Sequence, residues 1–148
     1  MVIATNKRAY FDYEILETYE AGIELKGFEV KAVKFGRINL AGSYVIIHNN
    51  QAWLLNADIP PYQPKNTPAD YDSKRTRRLL LNKSEIKSLT GRTQEKGLTL
   101  VPLKVYTKGK GGKIKVEIGL AKSRKKVDKR ELIKKRNIEA DIRRYLRG

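Results

Sequence analysis

One histidine, no cysteine and sixteen carboxylates are the raw material for chemistry in this 148-residue chain. Thiolate metal sites and Cys–His pairs are excluded, and a Ser–His pair would have to rest on His48 alone. His48 lies beside a predicted turn, where an imidazole is ordinarily a surface group. Asp70 and Asp72 stand close enough in sequence to hold a divalent ion for phosphodiester cleavage. Their setting in a proline-rich loop favours plain turn chemistry. The "GKGGK" of 109–113 lacks the spacing of a phosphate-cradling loop and falls within a predicted hairpin turn. The inventory points away from an enzyme and calls for no metal and no cofactor.

Binding is much better supplied. Lys and Arg number 32 against 16 Asp and Glu, a formal charge of +16. Three clusters stand out: "NKR" with Lys7 and Arg8, "SKRTRR" with Arg75, Arg77 and Arg78, and the run "GLAKSRKKVDKRELIKKR" at 119–136. Solvated surface charge is the bland reading of each. Excess on this scale, spread over loops with Tyr and Phe nearby, instead suits a polyanion, and RNA recognised by shape and backbone is the best match. An anionic membrane surface is the rival. No run approaches the length of a membrane span and no signal segment opens the chain, so a soluble, cytoplasmic monomer is expected.

The elements that must carry these residues follow from periodicity. Phe11, Tyr13, Ile15 and Tyr19 alternate in a strand over 10–19. From Gly22 the spacing turns helical through Ile23, Leu25, Phe28, Val30, Ala32 and Val33, with Gly36 as the stop. "SYVIIH" and "AWLLNADI" form a hairpin turning at Asn49 and Asn50. Residues 59–78 hold four of the five prolines and read as a long stiffened loop. Asn82 with Glu85 makes a capping box, and Leu81 with Ile86 a hydrophobic staple, for a helix from Lys83 to about Lys96. Leu98, Leu100, Leu103 and Val105 pair in a last hairpin with Ile114, Val116, Ile118 and Leu120, and Pro102 marks an edge or bulge. Short antiparallel strands with few helices argue for a small barrel.

Longer segments narrow this further. "NKRAYFDYEILETYEAGIELKGFEVKAVKFG", "KRTRRLLLN", "GLTLVPLKVY" and "GLAKSRKKVDKRE" resemble, in order and over nearly the whole chain, the small protein B family, the tmRNA-binding proteins of bacterial trans-translation. The resemblance implies a mainly β fold: an oligonucleotide-binding (OB)-type antiparallel barrel over 1–122 with flanking α-helices, and a basic C-terminal tail over 123–148. It implies binding to the tRNA-like domain of tmRNA, with the barrel standing in for the missing anticodon arm, and delivery to stalled ribosomes. Elongation factor Tu would join through the aminoacyl-tmRNA complex. Glu29, Leu80 and Asn82 match family positions linked to tmRNA binding. Lys34 and Arg37 fall in "KFGR", where Arg-Ala-Gly-Lys is common, and with Lys122, at the end of the barrel domain, they are further expected RNA contacts. Leu80 and Asn82 could equally act through folding, as a buried residue and a helix cap. Glu29 could orient neighbouring cations or accept from a base edge.

For the tail, the resemblance implies a place in the small-subunit mRNA channel beyond the decoding centre, with Asp128, Lys129 and Arg130 matching a motif linked to ribosomal function. Arg124, Lys125, Lys126, Lys134, Lys135 and Arg136 would meet rRNA phosphates. Ile138, Ile142 and Tyr145, with Leu146, lie on one helical stripe. Such a charged segment is expected to be disordered when free and helical on the ribosome. A generic rRNA-binding barrel protein and a metal-dependent nuclease remain alternatives at this stage.

Overall fold

A computed structural model describes residues 1–95 and 97–124. The elements are β1 (Val2–Thr5), α1 (Lys7–Asp12), β2 (Tyr13–Ile23), α2 (Gly27–Lys34), β3 (Tyr44–His48), β4 (Gln51–Leu55), a 3-10 turn (Pro64–Asn66), β5 (Arg77–Leu80), α3 (Lys83–Arg92), β6 (Leu98–Lys108) and β7 (Lys113–Ser123). The strands are ordered β1-β6-β3-β4-β5-β2-β7, all pairings are antiparallel, and β6 also pairs with β7. That last pairing closes six strands into a ring, with β1 appended to β6. Closure removes the exposed edges that short strands would otherwise present. This is the expected OB-like barrel with flanking helices.

The interior holds Val45, Leu54, Leu79, Leu100, Val105, Val116, Ile118 and Leu120, with Ala32, Val33 and Leu89 packed in from α2 and α3. Strict alternation along β7 puts Val116, Ile118 and Leu120 inward, as expected. Gly119 and Ala121 are buried too. The reason is α1, which covers the outer face through Ala9 and forms a second small core with Val101, Leu103 and Ala121. A Cβ at Gly119 would lie 2.9 Å from Leu103 Cδ1, so only glycine admits this packing. Pro102 does mark a bulge: the β6–β7 register shifts between Pro102 and Lys104. The shift carries Val105 onto the inner face with Leu100, while Leu103 stays with Val101 on the α1 side.

Three element boundaries differ from their sequence reading. The strand read over 10–19 is β2 and starts at Tyr13, because Asn6 caps a helical turn over Lys7–Asp12 and ties it to β6 through Nδ2 to the Pro102 carbonyl at 2.9 Å. β2 runs on to Ile23, which pairs with Leu79, so α2 begins only at Gly27. α3 ends at Arg92, short of Lys96. The Asn49–Asn50 turn joins β3 to β4 with both residues at positive φ, 52° and 58°, as a two-residue hairpin of this twist requires.

Candidate nucleic-acid interface

The two aspartates considered for metal chemistry behave as turn residues. Asp72 Oδ1 accepts from the Lys74 amide at 3.0 Å and its carbonyl from Arg75 N at 3.1 Å. Among the described residues no three of His, Cys, Asp and Glu cluster as a metal site would need. His48 is exposed at the β3–β4 turn. No helix among them is long and apolar enough to cross a membrane.

The "SKRTRR" cluster splits into three fates. β5 begins at Arg77, so the loop ends at Thr76 and the strand's period of two decides which arginine faces inward. Arg77 shares the inner face with Leu79 and is wholly buried. Its guanidinium donates to Glu29 Oε2 at 2.8 and 2.6 Å, to the carbonyls of Ala57, Arg75 and Ser73, and to the Tyr71 hydroxyl. Every nitrogen is engaged inside the protein, so Arg77 is not an RNA contact, contrary to its assignment from charge alone. Arg75 also pairs with Glu29, through Nε at 3.1 Å and through Nη2, with about a quarter of its side chain exposed. Arg78 points to the other side of the strand, two-fifths exposed, and reaches Glu24 at 3.5 Å.

Glu29 is the centre of this arrangement and is fully buried. Besides the two arginines, its carboxylate accepts from the Tyr71 hydroxyl at 2.9 Å and from the Lys26 amide at 2.8 Å, the latter capping α2. Burial pushes its pKa up, but bonds from Arg75, the Lys26 amide and Arg77 outweigh burial and hold it at about 2. The same burial, with the Glu29 carboxylate as acceptor, pushes the Tyr71 hydroxyl up to about 12. Glu29 therefore orients cations, one of its two expected roles. It cannot meet a base edge from inside the core.

Leu80 is 45% exposed and not buried. It faces Gly22, which pairs with Leu80 on one side and with Lys115 on the other, at the point where β2 leaves β7 for β5. A Cβ on Gly22 would stand 3.3 Å from Leu80 Cβ, so glycine lets the two strands approach. Leu80 thus lines a groove with Ile23, Leu25, Val30, Lys34, Lys113 and Lys115. Lys34 crosses it to bond the Gly111 carbonyl at 3.4 Å. Leu25 also borders the next groove, formed with Lys26, Trp53, Arg75 and Arg78. The two grooves meet at Leu25: the first has an apolar floor with a basic rim, and the second is more polar, with Glu24 and Gln51 among its cations. Lys26, Lys113 and Lys115 were missed in the sequence because no local run marks them; strand alternation showed only that Lys113 and Lys115 face outward, and Lys26 immediately precedes α2.

Asn82 caps α3 as expected: Oδ1 accepts from the Glu85 amide at 2.9 Å, and Glu85 Oε1 accepts from Asn82 N at 3.3 Å. Its side-chain amide nitrogen has no protein partner among the described residues. Arg37 packs over the Tyr62 ring at 5.4 Å. Lys7 and Arg8 stand apart from the main surface. Arg8 pairs with Asp12 at 3.0 Å and lines a separate groove with Tyr13 and Tyr44. Lys122 is exposed late in β7, and Arg124 follows it with its amide bonded to the Asp12 carbonyl. Lys125, Lys126, Asp128, Lys129, Arg130, Lys134, Lys135, Arg136, Ile138, Ile142 and Tyr145 lie outside the described residues.

Comparison with known proteins bears on this surface. Residues 3–148 match the family model described as SmpB protein. An SsrA-binding protein of Thermosipho africanus is 53% identical over 146 residues, covering 99% of this chain and 97% of that protein. One from Carboxydothermus hydrogenoformans is 52% identical over 147 residues, with the same coverage. One from Gloeothece citriformis is 51% identical over 146, covering 99% and 93%. A solved structure described as "tmRNA-SmpB: a journey to the center of the bacterial ribosome" is similar at a TM-score of 0.67 and 47% identity, over 83% of this chain and 85% of that one.

Proposed function

The chain belongs to the SmpB protein family, and from that premise we propose that it binds the tRNA-like domain of tmRNA and brings it to stalled ribosomes for trans-translation in the cytoplasm. The observation that carries the reading on this molecule is the joined groove around Leu25 and Leu80. An exposed leucine is flanked there by Lys34, Lys113 and Lys115 on one side and by Lys26, Arg75 and Arg78 on the other. Cations around the rim suit two neighbouring backbone segments of a folded RNA. The apolar floor suits sugar or base edges rather than a regular duplex face.

The role is binding rather than catalysis. The protein contributes a rigid shape: Glu29 locks the proline-rich loop to α2, which fixes Arg75 against the groove. Asn82 stands at the start of α3, beside Leu80 and Leu81, with its amide free. Arg77 supports this surface from beneath without touching the ligand.

Competition titration with a tRNA-like RNA, a blunt duplex RNA and DNA, with and without magnesium, tests the reading. The tRNA-like RNA should win and remain intact. If about six phosphates are neutralised, log affinity should fall against log salt with a slope of roughly −4 to −5. Equal affinity for the duplex would favour a generic rRNA-binding protein, and magnesium-dependent cleavage would favour a nuclease.

A further inference from the structure

Phe35 is 68% exposed, the most exposed aromatic side chain among the described residues. It is not loosely held. Gly36 at φ +80° ends α2, its amide bonding the Val33 carbonyl at 2.8 Å while the Arg37 amide bonds that of Ala32 at 2.9 Å. This pair of bonds is the Schellman arrangement, and it fixes Phe35 and Arg37 on either side of the glycine. The Phe35 ring lies against Tyr62 of the proline-rich loop, centroids 4.7 Å apart and planes within 15°. Tyr62 is itself packed on the core, and Arg37 sits over it at 5.4 Å. A fixed aromatic stack thus ends on a ring turned largely to solvent.

The solvent-facing side of the ring packs on nothing in the fold, and the surroundings identify an occupant. Exposed Lys31 and Lys34 precede Phe35 on α2, Lys65 follows Tyr62 in the loop, and no Asp or Glu occurs in 30–57 or 59–69. A flat apolar ring beside exposed cations suits a group that is itself flat and carries anions at its edge. We propose that Phe35, backed by Tyr62, is a stacking platform for one unpaired nucleobase of the bound RNA, with Arg37 and Lys31 positioned for its flanking phosphates. Stacking of this kind tolerates any base, because every base presents a π-face. The proposal rests on the RNA-binding reading above and adds a contact outside the groove around Leu80.

The test uses the full chain, with an in vitro transcribed tRNA-like RNA as one probe and a blunt duplex RNA of similar length as the other. Phe35→Ala should weaken binding of the tRNA-like RNA about five- to a hundredfold. Melting temperature should fall only slightly, from loss of the Phe35–Tyr62 stack, and the salt slope should hold because the lost contact is not to phosphate. Phe35→Leu should fare no better, and Phe35→Trp should restore affinity. Duplex binding should be unchanged by all three. Undiminished affinity of Phe35→Ala for the tRNA-like RNA would overturn the platform while leaving the RNA reading intact, as would full rescue by Leu. Intact RNA binding with lost binding to phosphatidylserine vesicles would assign the ring to a membrane instead. Failure of the unaltered protein to bind either RNA would remove both readings together.

Discussion

Glu29 shows how a residue can matter to RNA binding without meeting RNA. Its carboxylate neutralises Arg77, a guanidinium with no solvent exposure, and fixes Arg75, which reaches the surface. Removing one partner of such a buried pair leaves the other charge uncompensated, so Glu29→Gln should cost roughly 3–5 kcal/mol of stability. The pH dependence has a definite sign. Folding lowers this pKa from 4.5 to about 2, so between those values the unfolded state holds more protons. The contribution, on the order of 3 kcal/mol, is complete above pH 4.5 and is lost as pH falls toward 2. Urea unfolding of both proteins between pH 2 and 6 checks this: the difference in stability between wild type and Glu29→Gln should shrink as pH falls. A constant difference would sink the idea. Any RNA-binding defect of Glu29→Gln should track its unfolded fraction.

At the scale of elements, three short pieces place the surface: the start of α3, the end of α2 and the fork where β2 passes from β7 to β5. Asn82 is the one whose structural and binding roles separate cleanly. Serine can accept from the Glu85 amide as asparagine does, whereas alanine cannot, and loss of the cap costs roughly 0.5–2 kcal/mol. Asn82→Ala should therefore lower the melting temperature, and Asn82→Ser should preserve it. If the free amide nitrogen touches RNA, the serine variant will melt normally and bind more weakly. Normal binding by a normally melting serine variant would make Asn82 a cap and nothing more. The contacts of α2 with the proline-rich loop explain why this loop can carry binding residues at all. Phe28 meets Tyr71 edge-on at 4.8 Å, Glu29 holds both arginines, and Phe35 stacks on Tyr62.

At the scale of the whole molecule, the ring is complete by Ser123, the last residue of β7. All of its strands lie among the described residues, and residues 121–148 carry half of the net charge. We propose that this segment works on the ribosome, as a helix in the empty mRNA path. Truncation after Arg124 should then leave the melting temperature unchanged and tmRNA affinity reduced only a few-fold, through weaker long-range attraction. Peptide tagging on stalled ribosomes should be lost. Ile138→Pro keeps the charge but costs about 3 kcal/mol wherever an interior helical turn is required. It should bind tmRNA normally and fail in the tagging assay. Full tagging by that variant would mean that positive charge alone suffices.

The sequence by itself determined whatever depends on near neighbours. Periodicity of two set the inward face of β7, Asn49 and Asn50 set a hairpin turn, and Asn82 with Glu85 set a helix start, because each is an interaction within a few residues. The excess of cations, and the likeness to a known family over nearly the whole chain, pointed to RNA. What only the tertiary structure decided is which cations are available and which apolar groups are not core. Arg77 and Arg78 are adjacent and chemically identical, yet one spends its donors on Glu29, 48 residues away, and the other faces a groove. Leu80 reads as core within "LLLN" until Gly22 and Lys115 are seen beside it at the strand fork. Val105 lands on the inner face with Leu100 because a bulge after Pro102 resets the register of β6. Each outcome turns on a partner distant in sequence, and composition and spacing carry no information about which distant partner will arrive.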